Sequence, residues 1–246
     1  MNKLYIGVDL GGTNIAAGIV DAEGNILHKK SVRTDLPKPE HVIENDIYTL
    51  CMELCKDRGY DLAKDISAIG IGTPGAVDGI RGIVWQNVNF GYTNWQIKTN
   101  LEKLFGNVPV YVENDANAAV IAEATAGSAK GKKDVLMITI GTGVGGGVYI
   151  NGSIYAGSNF AGLEVGHMVI QKNGRQCNCG RKGCFETYAS AAALVSDTKV
   201  AMEHNKDSLL WEICPDIKKV NAKTYTQTLK GRFNNESNGF VQWWNR

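Results

Sequence analysis

The stretch Leu4-Tyr5-Ile6-Gly7-Val8-Asp9-Leu10-Gly11-Gly12-Thr13-Asn14-Ile15-Ala16-Ala17-Gly18-Ile19-Val20 is two apolar runs joined by a glycine turn. Leu4–Asp9 and Ile15–Asp21 read as strands, and Glu23-Gly24-Asn25 turns the chain once more into Ile26–Val32. The spacing predicts a three-stranded antiparallel meander. Pro37 and Pro39 then punctuate the chain before His41–Lys56, where Val42, Ile43, Ile47, Leu50, Leu54 and Cys55 recur at helical spacing, and Ile66–Thr73 reads as a buried β-run. A meander that leads through a helix to another strand implies a mixed sheet. The pattern returns further on. Asp134–Ile140 is an apolar strand, Gly141–Gly147 a glycine turn, and Val148-Tyr149-Ile150 opens the next strand before Asn151-Gly152 turns it. Two such units predict two lobes facing a cleft. Between them Val108–Glu113 reads as a strand and Asn117–Ala126 as an Ala-rich helix, so the lobe boundary is expected within residues 114–128.

Composition narrows the classes. The chain has 246 residues, 43% hydrophobic, with 26 basic against 25 acidic side chains, enough for one large domain or two lobes. Near-neutral charge gives no electrostatic case for nucleic acid. No apolar run approaches the ~18 residues of a membrane span, and the first residues do not read as a signal peptide, so a cytoplasmic protein without a membrane partner is expected. Glycine is the outlier at 29 residues, and its clusters mark the chemistry.

Three constellations stand out. Small residues in Asp9-Leu-Gly-Gly-Thr-Asn14 let the backbone approach an anion, while the carboxylate at the strand end is suited to a hydrated cation. An ordinary hairpin turn would look the same. The Gly141–Gly147 loop lacks the Lys-Ser or Lys-Thr of a P-loop and opens no clear helix, which disfavours dinucleotide binding. In Glu113-Asn114-Asp115, the aspartate reads first as the N-cap of the following helix, and second as a carboxylate able to orient and deprotonate an attacking hydroxyl. The most specific pattern is Gly166-His167, then Cys177-Asn178-Cys179, then Cys184. One imidazole and three thiolates make a closed tetrahedral site of the structural zinc type; a disulfide or plain buried thiols are the alternatives. Glu164 and Glu186 flank this segment, and Cys51 and Cys55 read as core.

Taken in order, Asp9–Asn14, Gly72-Thr-Pro-Gly-Ala-Val-Asp78, Glu113–Asp115, Ile140–Gly146, Glu164-Val-Gly-His167 and Cys177–Glu186 resemble the ROK family (repressors, open reading frames, kinases), and within it the bacterial zinc-containing glucokinases. The resemblance covers roughly residues 3–225. It implies an α/β, actin-like ATPase (ribonuclease H-like) fold of two lobes around a cleft, with lobes over 1–115 and 116–225, where a hexose, glucose first, is phosphorylated by ATP at its 6-hydroxyl. It further implies Asp115 as the base, with Gly75, Asn87, Asn114, Asp115, Glu164, His167 and Glu186 as sugar contacts. Asp9 would position Mg²⁺ through water, while Gly11, Gly12, Thr13, Asn14, Gly141, Thr142 and Gly143 would hold the ATP phosphates. His167, Cys177, Cys179 and Cys184 would bind structural Zn²⁺, and a homodimer is expected.

The likeness stops after Tyr225. Residues 226–246, which end in Gln242-Trp-Trp-Asn-Arg246, lack helical periodicity and read as a frameshift remnant or an unusual ending, with an incomplete second lobe and apolar surface left uncovered. Three functions follow: a hexose kinase, a sugar-responsive transcriptional regulator, and a sugar- and zinc-binding remnant without turnover.

Overall fold

In β1 (Leu4–Leu10) and β2 (Asn14–Val20) alternate residues turn inward, and with β3 (Ile26–Arg33) they pair as the expected antiparallel meander. Leu4, Ile6, Val8 and Leu10 of β1 are buried together with Ile15, Ala17 and Ile19 of β2. The helix α1 (Glu40–Arg58) closes this core with Ile43, Ile47, Leu50, Cys51 and Leu54. Full burial of each such side chain contributes ~1.5–3 kcal/mol. Burial also pushes the Cys51 thiol up to about 12, as suits an inert core residue. The computed structural model describes residues 3–87, 89–106 and 108–224, so the ending expected over 226–246 lies outside the described residues.

After the short helix α2 (Leu62–Asp65), β4 (Ile66–Thr73) runs parallel to β1. Next come a small antiparallel sheet of β5 (Ala76–Asp78), β6 (Ile83–Asn87) and β7 (Tyr92–Trp95), and the helix α3 (Ile97–Leu104). Periodicity does not reveal this sheet, because its strands are short and bury residues irregularly. Its anchor is Trp95, fully buried, whose indole N–H donates to Glu44 on α1 at 2.6 Å. The strand β8 (Val110–Asn114) then pairs in parallel with β4 and completes a five-stranded sheet of order β3-β2-β1-β4-β8. Its register sets Asp9 beside Gly72, and Gly72 beside Glu113. Asp9 of β1 and Glu113 of β8 therefore flank Gly72 of the intervening β4 in one row, near the carboxyl edge where open α/β sheets place their ligands.

The helix α4 (Asp115–Thr125) starts directly from β8, two residues earlier than the Ala-rich pattern suggested. It passes over Gly72, where an added Cβ would lie 3.6 Å from the Ala118 Cβ. The strands β9 (Val135–Ile140), β10 (Val144–Ile150) and β11 (Ser153–Ile154) form a third sheet. Here the sequence reading needs correction: the turn is confined to Gly141–Gly143, and Gly145–Gly147 belong to β10. A Cβ at Gly147 would come within 2.9 Å of the Ala116 carbonyl oxygen, so glycine there serves the approach of strand to helix rather than a turn. Leu136, Ile138 and Ile140 alternate along β9 as exposed residues.

Two compact units result, Met1–Ile138 with Gly146–Leu163, and Thr139–Gly145 with Glu164–Arg246. The helix α4 belongs to the first unit, because it packs on β4 and β8. Within the second unit, a 3₁₀ turn over Val165–His167 precedes the cysteine segment, followed by α5 (Glu186–Ala189), α6 (Ala191–His204) and α7 (Leu209–Ile213). Its buried apolar cluster among the described residues is small: Met202, Leu210 and Val220.

Candidate active site and metal centre

In the first unit, the chemistry gathers where the parallel strands end. Asn114, the last residue of β8, caps α4: its Oδ1 accepts from the N–H groups of Ala116 and Asn117 at 3.0 and 3.1 Å. This corrects the expectation that Asp115 would be the cap. Asp115 is instead the first helical residue, exposed, with Oδ1 accepting from the Ala116 N–H at 2.8 Å. A carboxylate at a helix N-terminus is favoured by the helix dipole. Partial burial, and then the nearby negative charge of Asp115, hold the Asp9 carboxyl above the usual carboxylate range. The two carboxylates thus feel one another within the unit.

Two supporting residues escaped the sequence reading. Glu113 Oε1 accepts from both the Asn114 N–H at 2.9 Å and the Asn117 side-chain amide at 3.0 Å, which ties the start of α4 to the end of β8. Glu113 stood in the quoted motif without a role, and the position of Asn117 three residues after the cap was the available signal. Asn117 Oδ1 is a buried oxygen without a partner among the described residues. Thr34, fully buried, braces the first glycine loop: its Oγ1 donates to the Gly11 carbonyl at 2.7 Å and its N–H to the Thr13 carbonyl at 2.9 Å. Nothing local in sequence marks Thr34, because the contact depends on β3 lying beside β2. Gly12, Thr13 and Asn14 remain exposed.

Gly75 has φ +109°, and a Cβ there would meet the Gln86 carbonyl oxygen at 2.3 Å, so only glycine fits. Its own carbonyl accepts from the Asn114 side-chain amide at 3.1 Å. Asn87 is 1% exposed; its amide donates to the Pro74 carbonyl at 2.8 Å and its Oδ1 accepts from the Phe90 N–H at 3.2 Å. Asn87 therefore shapes the loop that supports Asn114.

In the second unit, His167, Cys177, Cys179 and Cys184 bring one ligand atom each within 4.8 Å of the others. The Cys179 and Cys184 sulfurs lie 3.6 Å apart, and Cys177 Sγ lies 3.6 Å from His167 Nδ1. Sulfurs ~2.3 Å from one tetrahedral ion would be separated by roughly 3.7 Å, whereas a disulfide requires ~2.05 Å. The donor set fits a metal and not a cross-link. Burial pushes the Cys177 thiol up to about 12, while hydrogen bonds from the Arg181 backbone and then its side chain draw Cys179 down to about 6. Glu186 borders the cluster: its Oε1 accepts from Cys177 Sγ at 3.1 Å and lies 3.6 Å from His167 Nδ1. Glu164 is exposed just before the 3₁₀ turn. The Gly141–Gly143 turn is closed by the Gly141 N–H donating to the Gly143 carbonyl at 2.9 Å.

Residues 5–230, carrying all of these features, match the ROK family. The chain belongs to the ROK family. Among relatives, the glucokinase of Halalkalibacterium halodurans is 36% identical over 211 residues, which is 85% of this ROK chain and 63% of that protein. The xylose repressor of Bacillus spizizenii is 37% identical over 191 residues, 77% of this chain and 48% of the repressor. The crystal structure of a ROK family glucokinase from Streptomyces griseus, in complex with glucose and AMPPNP, aligns with a TM-score of 0.78 at 36% identity, covering 93% of this chain and 71% of that one. The chain thus spans less than two thirds of the length of both sequence relatives. The expected fold class, α/β and actin-like, holds for this ROK chain. Among the described residues, no helix is long and apolar enough to cross a membrane.

Proposed function

We propose that the chain transfers the γ-phosphoryl group of ATP to the 6-hydroxyl of a hexose, with glucose the first candidate. One observation carries this reading: Asn114 takes the capping role, which leaves the exposed Asp115 carboxylate at the strand ends as a proton acceptor in the same unit as Asp9. Asp115 accepts the proton of the hydroxyl as its oxygen bonds to the γ-phosphorus, and the bond from that phosphorus to the bridging oxygen breaks to release ADP. Asn114, Glu164, His167 and Glu186 supply donors and acceptors for the sugar hydroxyls, with Gly75 and Asn87 shaping the loop beneath. The Gly11–Asn14 and Gly141–Gly143 loops would offer backbone N–H groups to the phosphates, and Asp9 would hold Mg²⁺. When bound, Mg²⁺ offsets phosphate charge. His167, Cys177, Cys179 and Cys184 would hold a structural Zn²⁺, with His167 binding through Nδ1 and keeping Nε2 for the sugar. The same reading takes residues 1–115 and 116–225 as functional lobes, in a cytoplasmic homodimer.

The test is a coupled assay of ADP release over a panel of hexoses. Glucose-dependent turnover is expected, and Asp115→Asn should lower kcat about 10²–10⁴-fold while sugar binding persists. Near-normal turnover in Asp115→Asn removes Asp115 from the role of base. The likeness to a xylose repressor supports a second reading, a sugar-responsive regulator. Sugar binding with no ADP release from any hexose would favour that reading or a remnant without turnover.

A further inference from the structure

The cysteine segment does more than surround a metal: both chain segments that supply ligands also press on the second glycine loop. Gly166, buried and directly before His167, lies so close to the residue leaving that loop that a Cβ would come within 2.0 Å of the Val144 carbonyl oxygen. Glu186, two residues after Cys184, faces the loop itself, where a Cβ on Gly143 would lie 2.8 Å from Glu186 Oε2. The other oxygen of the same carboxylate lies 3.1 Å from Cys177 Sγ and 3.6 Å from His167 Nδ1, at the edge of the cluster. Just beyond, the Ala191 N–H donates to the Gly141 carbonyl at 2.8 Å, and Ser190, which caps α6, is buried beside it. The loop Gly141–Val144 is therefore held from one side by the His167 turn and from the other by the chain that follows Cys184. Those two segments are joined by the backbone bridge of Val169 with Cys184 and by the four-ligand cluster.

We propose that the metal cluster braces the second glycine loop through Glu186, so that metal occupancy sets the loop's conformation and hence its hold on nucleotide phosphate. This rests on the reading of Gly141–Gly143 as a phosphate loop and of the cluster as a zinc site. Glu186 acts as a positioning residue for the loop. Among the described residues the buried apolar cluster of this unit is small, which leaves the metal as the main constraint on the loop.

The experiment uses the full chain, with metal content measured first. Hydrogen exchange at the Gly141 and Ala191 amides, both hydrogen-bonded in the braced loop, is compared in zinc-loaded protein, chelated protein and zinc-loaded Glu186→Ala. Exchange at both amides should rise at least about tenfold on chelation and in Glu186→Ala, which retains all four metal ligands. AMPPNP affinity, followed by calorimetry, should fall in parallel. Glu186→Gln, which keeps the side chain in place, should restore both, and Gly143→Ala should reproduce the Glu186→Ala phenotype with zinc still bound. Unchanged exchange in zinc-loaded Glu186→Ala overturns the brace, even if chelation unfolds the unit. Protein that takes up no zinc overturns the metal reading first and the brace with it. Loosened amides without any AMPPNP binding in the wild type would keep the brace but remove nucleotide from the loop's role.

Discussion

The two units of the chain are secured by different physics. Around Asp9 and Asp115, a continuous core runs from Leu4 through Val112, and hydrogen bonds at Thr34, Glu113 and Asn114 fix the loops and the helix start. Around His167 and Glu186, the described apolar cluster shrinks to Met202, Leu210 and Val220, while three cysteines and a histidine converge on one point. Small cores below the size that burial can stabilise are commonly supplemented by metal. The lesson is that one carboxylate pair is positioned by a sheet, and the other carboxylates by ligand geometry.

Metal removal gives the largest effect that this contrast predicts. A structural zinc is worth ~10 kcal/mol or more of folding free energy in small domains, so chelation should release amide protection across residues 164–204 while β1, β4 and β8 keep theirs. Hydrogen exchange with mass detection reads both units at once, and simultaneous loosening of both would break the contrast. Ile69→Ala, in the centre of β4 and fully buried, should cost ~2–5 kcal/mol in denaturant unfolding of the first unit without changing metal content. Loss of metal in that variant would show that the halves stand or fall together.

Glu113→Ala sharpens the first half. It leaves the Asn114 N–H and the Asn117 amide without their acceptor, at a cost of ~1–3 kcal/mol, and under the proposed kinase reading it should lower kcat more than it raises KM for the hexose, because Asp115 loses its alignment. Glu113→Gln keeps an acceptor oxygen in place and should recover most of both; failure to do so would point to the charge rather than the geometry. Asp9→Asn gives the smallest change. The folded state raises the Asp9 pKa above 3.8, so the folded chain holds this proton more tightly than the unfolded chain, and ionised Asp9 costs stability. The variant should melt slightly higher at neutral pH, with the gain complete above the raised folded pKa and gone below 3.8. A gain that persists unchanged in acid would assign it to something other than this carboxylate.

The sequence by itself determined the β1–β2–β3 meander, the helix after Pro39, the repeated strand–turn–strand unit and the cluster of one histidine and three cysteines able to hold a metal. Each of these is written in local signals: alternation of period two, apolar residues at helical spacing, glycine clusters, and thiols close together in the chain. Tertiary structure alone decided who caps α4, because Asn114 and Asp115 are equally good caps by composition and only the end of β8 selects between them. It also decided that Gly147 packs against Ala116, that Thr34 reaches back to Gly11, that Asn87 lies buried under the Gly75 loop, and that Glu186 rests on Gly143. In each case the partner is remote along the chain. Such contacts follow from strand register and helix placement, which no residue pattern within a single element encodes.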